Sequence, residues 1–86
     1  MNADKIKEIL LSCLNLSEVY VAFDYHGHCQ IIAIGSMFIE KNKLERHKIV
    51  YAPLKQYITY NKIHSLSIYA FSLNEWDINK KFYNVK

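Results

Sequence analysis

The stretch that most constrains the fold is Ile63–Trp76, with the sequence IHSLSIYAFSLNEW. Its first half alternates between two sets of side chains, which are His64, Leu66, Ile68 and Ala70 on one side and Ile63, Ser65, Ser67 and Tyr69 on the other. This period of two predicts a strand. The following Ser-Leu-Asn-Glu has the pattern of a capping box, in which Ser72 and Glu75 each accept a hydrogen bond from the other's backbone N–H. A strand with a histidine at its start is therefore expected to run directly into a short helix that carries Trp76.

The length of the chain limits it to one hydrophobic core, because 86 residues cannot enclose two. We expect a single domain over residues 1–86, with a core at about 4–78 and a basic tail at 79–86 that frays. The sequence shows no signal peptide and no apolar run long enough to span a membrane, so we expect a cytoplasmic protein with no membrane association. Cys13 and Cys29 have no CxxC or zinc-finger spacing, and both are expected to be reduced thiols.

The first predicted element is an amphipathic helix. Its apolar positions recur at i, i+3, i+4, i+7 and i+8, and they are Ile6, Ile9, Leu10, Cys13 and Leu14. Asn2 or Asp4 is expected to cap its start, and Asn15 to end it in a left-handed conformation. Because Cys13 lies on the apolar face, we expect it to be a small buried core residue.

The next elements predict a hairpin followed by a helical crossover. The alternating segment Glu18–Asp24 and the apolar segment Cys29–Gly35 are expected to be strands joined by a turn that contains Gly27. Asn42 then caps a predicted helix to about Tyr51, and a second helix begins near Pro53 and ends at Asn61.

This order of elements has a geometric consequence for the histidines. A crossover with two helices favours a third strand parallel to the second. Parallel neighbours begin at the same end of a sheet, so we expect the loop His26-Gly27-His28-Cys29 and His64 to converge there.

Four segments give the chain a resemblance to the BolA family, close to its IbaG (YrbA) branch. They are IKEILLSCLNLSEVYV, HCQIIAIG, RHKIVYAPL and IHSLSIYAFSLNEW, and the resemblance covers roughly residues 4–78. It implies an α/β (α+β) sandwich of the class II KH-like type, with the order α-β-β-α-α-β, a three-stranded mixed sheet and a short C-terminal helix. The chain departs from the family at Ile39-Glu40, where a small flexible residue is common, and at Leu73, where proline is common.

The resemblance also implies a partner and a cofactor. BolA-like proteins pair with monothiol glutaredoxins and share a [2Fe-2S] cluster, to which the glutaredoxin brings its own cysteine and a bound glutathione. His64 matches the family's histidine ligand, and the second ligand is a Cys or His of the loop between the first two strands. His28 aligns best, with His26 and Cys29 as alternatives. A [2Fe-2S] cluster needs four ligands, so the isolated chain is expected to hold none.

The alternative function implied by the resemblance is DNA binding in transcriptional control. The residues that could contact phosphates form a basic cluster, and they are Lys43, Arg46, His47 and Lys48. The chain lacks the GxxG loop with which KH domains clamp a nucleic-acid backbone, and Glu40 and Glu45 dilute the cluster. We do not expect an enzyme, because the sequence shows no oxyanion-hole or phosphate-cradling motif and is too short to wall a large substrate pocket. Whether the isolated chain forms a homodimer is left open.

Overall fold

The computed structural model describes residues 2–61 and 65–83, and the side chains of residues 59–61 lie outside that description. The four helices and three strands follow the predicted order, and they are α1 (Ala3–Cys13), β1 (Glu18–Phe23), β2 (His28–Ile34), α2 (Lys43–Tyr51), α3 (Lys55–Asn61), β3 (Ser65–Phe71) and α4 (Leu73–Asn79). Short 3-10 helices lie at Ser36–Phe38, Ala52–Leu54 and Lys80–Phe82. The α-β-β-α-α-β order with a C-terminal helix is thus confirmed.

The sheet is mixed and has the strand order β1-β2-β3. β1 pairs antiparallel to β2 through the hairpin, with Phe23 opposite Cys29. β3 pairs parallel to β2, with Ser65 opposite His28 and Phe71 opposite Ile34. The parallel crossover predicted from the two intervening helices is therefore confirmed, and it makes β3 an edge strand.

The sheet divides the apolar interior of this single domain into a larger and a smaller cluster, one on each of its faces. The larger cluster lies under α1, α2 and the 3-10 helix before α3, and its members include Ile6, Leu10, Cys29, Ile31, Phe38, Val50 and Leu54. On the opposite face, Trp76 of α4 packs on Ile32 and Ile34. Trp76 is only 3% exposed, which confirms that the C-terminal helix is part of the fold.

Side-chain caps fix the starts of three helices. The Asn2 side chain accepts from the backbone N–H of Lys5 at 2.9 Å. Asn42 with Glu45, and Ser72 with Glu75, form reciprocal capping boxes at the starts of α2 and α4. Each satisfies two backbone N–H groups that a helix start would otherwise leave unpaired, so the capping predictions for α2 and α4 are confirmed.

Three local predictions are wrong. Cys13 is exposed, because it is the last residue of α1 and the buried face of that helix is formed by Ile6, Ile9 and Leu10. Asn15 does not end the helix in a left-handed conformation, since α1 ends through an extended Leu14 whose N–H bonds the Leu10 carbonyl.

The third error concerns the described part of the basic tail, residues 79–83, which was expected to fray; residues 84–86 lie outside the described residues. Residues Lys80–Phe82 form a 3-10 helix, and the ring of Tyr83 lies 5.6 Å from Phe71 and 5.8 Å from Trp76. Aromatic packing of this kind orders a segment whose charge alone suggested solvation.

No helix of the described residues is long and apolar enough to cross a membrane.

Candidate functional site

The hairpin turn between β1 and β2 is organised by the carboxylate of Asp24. One carboxylate oxygen, Oδ1, accepts from the backbone N–H of His26 at 2.8 Å and from that of His28 at 2.9 Å. Gly27 takes a φ of 82°, a left-handed conformation that glycine adopts without a steric cost. The hydrogen bond from the His28 N–H is the main reason that the pKa of Asp24 is lowered. The turn therefore holds the backbone of His26 and of His28 in a defined conformation.

The side chain of His28 is held against β3 by two serine hydroxyls. Its Nδ1 contacts Ser65 Oγ, and its Nε2 lies 3.0 Å from Ser67 Oγ. Parallel pairing places Ser65 directly opposite His28, and the period of two puts Ser67 on the same face. Both ring nitrogens thus have a partner, and the imidazole has one defined orientation. These serines were not identified from the sequence. The alternation of β3, combined with its register against β2, places both on the same face as His28.

The other two loop donors have contrasting environments. Cys29 is completely buried in the larger cluster, and burial raises the pKa of its thiol to about 11. It is therefore a protonated thiol at neutral pH. His26 is exposed, and its ring lies 5.5 Å from that of Tyr25, which is itself 95% exposed.

His64 lies outside the described residues, so its predicted convergence with the loop is not described directly. The next residue in the chain, Ser65, is described, and it contacts His28 at the start of β2. Within residues 2–61 and 65–83, no group of three or more His, Cys, Asp or Glu side chains could hold a metal ion.

The predicted basic cluster on α2 is divided by the role of Arg46. Its guanidinium donates to the backbone carbonyls of Lys41 and Ala70 at 2.9 and 3.0 Å. It also forms a two-pronged ion pair with Glu75, at 2.6 and 3.2 Å. The Arg46 side chain is only 16% exposed, so its charge is used to join α2 to β3 and α4.

The remaining members of the basic cluster lie on the surface. Lys43 and Lys48 are exposed, and the ring of His47 stacks on Tyr51 at 6.0 Å. Among the four residues predicted to contact nucleic acid, two lysines therefore keep a solvated charge that a phosphate could approach. The pairing of Arg46 with Glu75 was not identified from sequence, since 29 positions separate the two residues.

These features define a small α+β domain whose mixed three-stranded sheet carries a histidine-bearing turn at one end. A family model described as "BolA-like protein" matches residues 17–75. The chain belongs to this BolA-like family.

Two relatives agree with the family match, and a solved structure agrees with the fold. The chain is 47% identical over 81 residues to a protein of Buchnera aphidicola from Schizaphis graminum, covering 94% of this chain and all of that one. It is 37% identical over 81 residues to the acid stress protein IbaG of Escherichia coli K12, covering 94% and 95%. The fold matches BolA1 from Arabidopsis thaliana with a TM-score of 0.74 at 24% identity, covering 87% of this chain and 96% of that one.

Proposed function

We propose that this chain is an adaptor that docks on a monothiol glutaredoxin and shares a [2Fe-2S] cluster with it, for cluster trafficking or for iron and redox regulation. His64 and His28 are the ligands from this chain, and the partner supplies its cysteine and the thiol of a bound glutathione. The observation that carries the proposal is the contact between His28 and Ser65, the residue that follows His64 in the chain. It brings the turn of the hairpin to the start of β3.

The donor set on this side suits a shared cluster rather than one held alone. Iron in [2Fe-2S] centres accepts histidine nitrogen in place of thiolate, which raises the reduction potential. A histidine must be neutral to bind, so protonation competes with ligation.

Among the three loop donors, His28 is the one that we favour. Cys29 would have to leave the core and lose a proton from a thiol whose pKa is about 11. His26 is accessible, but its side chain has no hydrogen-bond partner among the described residues to orient it. His28 can release one serine to bind iron while the other serine still orients the ring, as outer hydrogen bonds do for metal-bound histidines.

The DNA-binding alternative has less support. Arg46 is neutralised by Glu75, and the sequence has no GxxG loop. Each phosphate contact contributes about −0.9 to the slope of the logarithm of the binding constant against the logarithm of salt concentration. The two remaining lysines would therefore give a slope near −2, which corresponds to weak, sequence-independent binding at physiological salt.

Co-purification with a monothiol glutaredoxin tests the proposal. The wild-type pair is expected to show the visible absorbance of a [2Fe-2S] cluster with iron and sulfide in equal amounts. His64→Ala is expected to change or abolish that spectrum while unfolding within about 1 kcal/mol of wild type, as for a substitution outside the core.

His47→Ala is the matched control, because it removes an exposed histidine on α2 and is expected to leave the spectrum unchanged. An unaltered spectrum for His64→Ala, in a stable complex, would contradict the assignment of His64.

A further inference from the structure

The outer edge of β3 carries backbone groups that the sheet does not use. The Phe71 carbonyl accepts from Gly35 N–H at the end of β2, so Phe71 and every second residue before it face β2. The Ala70 carbonyl faces the other way and accepts from Arg46 at 3.0 Å. By alternation, the N–H and carbonyl of Ile68 also point outward. Within the described part of the chain, they have no hydrogen-bond partner.

A groove of about 500 Å³ runs along this edge. The residues that line it include Ile68, Tyr69 and Ala70 of β3 and the aromatic side chain of Tyr83. Its lining contains three cationic side chains, those of Lys41, Lys43 and Arg46, and a single carboxylate, that of Glu75. Since Glu75 is already paired with Arg46, the surplus charge is that of the two lysines, which are exposed and have no ion-pair partner among the described residues.

We propose that this groove binds an extended acidic segment of a partner protein, which adds to the sheet as a strand beside β3. An unpaired edge strand is a template for such an addition, in which main-chain hydrogen bonds supply affinity and alternate side chains supply specificity. Carboxylates on the added strand would lie near Lys41 and Lys43. The groove is at the Phe71 end of β3, whereas His28 lies at the Ser65 end, so this surface is separate from the proposed ligand site.

The chemistry of the groove favours an acidic peptide over two other occupants. A second copy pairing edge to edge would bring two sets of Lys41 and Lys43 together, and like charges at an interface are unfavourable. A nucleic acid presents a phosphate at every nucleotide but lacks the regularly spaced main-chain N–H and carbonyl groups with which an added strand pairs along a sheet edge.

The test is a titration of the isolated chain, observed by its amide resonances, with the blocked octapeptide Glu-Val-Glu-Val-Glu-Val-Glu-Val. Saturable binding is expected, with the amides of Ile68 and Ala70 among those that shift most. The double variant Lys41→Glu, Lys43→Glu is expected to weaken binding about tenfold, since each exposed charge pair contributes modestly. The matched control Lys5→Glu, Lys7→Glu, with the same charge change on exposed positions of α1, is expected to bind like wild type.

Two further arms use the wild-type chain and so do not depend on how the variants fold. A peptide of the same sequence that is N-methylated at every residue keeps its charge but loses the main-chain donors on both of its edges, and it is expected not to bind. The proposal is overturned if the octapeptide fails to bind, if the fully methylated peptide binds equally well, or if the shifts lie away from β3. Tighter binding of a twelve-nucleotide oligo-dT at the same amides would assign the groove to nucleic acid instead. Because no glutaredoxin is present, none of these results bears on cluster sharing.

Discussion

The clearest energetic prediction concerns Arg46, whose replacement by alanine should destabilise the fold rather than only remove a surface charge. The substitution removes two hydrogen bonds to backbone carbonyls and the ion pair with Glu75. It also leaves the Ala70 carbonyl without its partner at the edge of the sheet. We expect urea unfolding at pH 7 to show a loss of about 2–4 kcal/mol, the range for breaking charged hydrogen bonds in a partly buried network.

The lowered pKa of Glu75 follows from the same ion pair. The hydrogen bond from Arg46, followed by that from the Ser72 N–H, lowers this pKa from 4.5 to about 2. Taken at face value, the shift corresponds to about 3 kcal/mol. The Glu75 side chain is 43% exposed, so solvent screening reduces its contribution to roughly 1–2 kcal/mol.

The same shift predicts the pH dependence of stability. Between the folded pKa of about 2 and the unfolded value of 4.5, the unfolded chain binds more protons, so the free energy of unfolding rises with pH. The stabilisation by Glu75 is complete above the unfolded pKa and is lost as pH falls through that window. In Arg46→Ala the folded pKa should move back towards 4.5, which makes this part of the pH dependence shallower.

Lys43→Ala is the control, because Lys43 is exposed on the same helix and should change stability by less than about 0.5 kcal/mol. If Arg46→Ala and Lys43→Ala unfold at the same urea concentration, the structural role of Arg46 is refuted. A DNA-binding test of the basic cluster should therefore replace the lysines and retain Arg46.

Three further predictions follow from local features. Glu40 has a φ of 62°, and Glu40→Gly should raise the free energy of unfolding by about 0.5–1 kcal/mol, since glycine adopts this conformation without strain; a loss of stability would contradict this. Tyr83→Ala should cost about 1–2 kcal/mol through lost aromatic packing, whereas Phe82→Ala, at a position 72% exposed, should change little; equal effects would mean that Tyr83 is not packed. Iodoacetamide at pH 8 should alkylate Cys13 in the native protein and Cys29 only on unfolding, as mass spectrometry of digested protein would show; fast labelling of Cys29 would contradict its burial.

The sheet and the helix caps could be predicted from sequence because their causes are local or topological. Each capping box joins two residues three positions apart, Asn42 with Glu45 and Ser72 with Glu75. The local pattern of the sequence therefore specifies the cap. The parallel placement of β3 follows from the two helices that precede it. The faces of β3 also agree with the alternation of Leu66 and Ile68 against Ser65 and Ser67.

What sequence could not supply depends on contacts between distant positions. The apolar stripe of α1 does not show that the buried face of the helix ends at Leu10, and Cys13 was therefore misassigned. A run of lysines at the tail concealed the packing of Tyr83, and a basic cluster concealed the pairing of Arg46 with Glu75. In the candidate site, the loop histidines were identified, but the serines that orient His28 depend on a register across 37 and 39 positions.

The most direct test of the proposed function is to ask whether histidine nitrogen from this chain binds the cluster iron. The chain would be labelled with ¹⁵N-histidine, combined with unlabelled glutaredoxin and glutathione, reduced, and measured by pulsed electron paramagnetic resonance. The account predicts strong ¹⁵N couplings from two histidines, one lost in His28→Ala, one lost in His64→Ala, and both retained in His47→Ala. A cluster-containing complex with no ¹⁵N-histidine coupling would contradict the account.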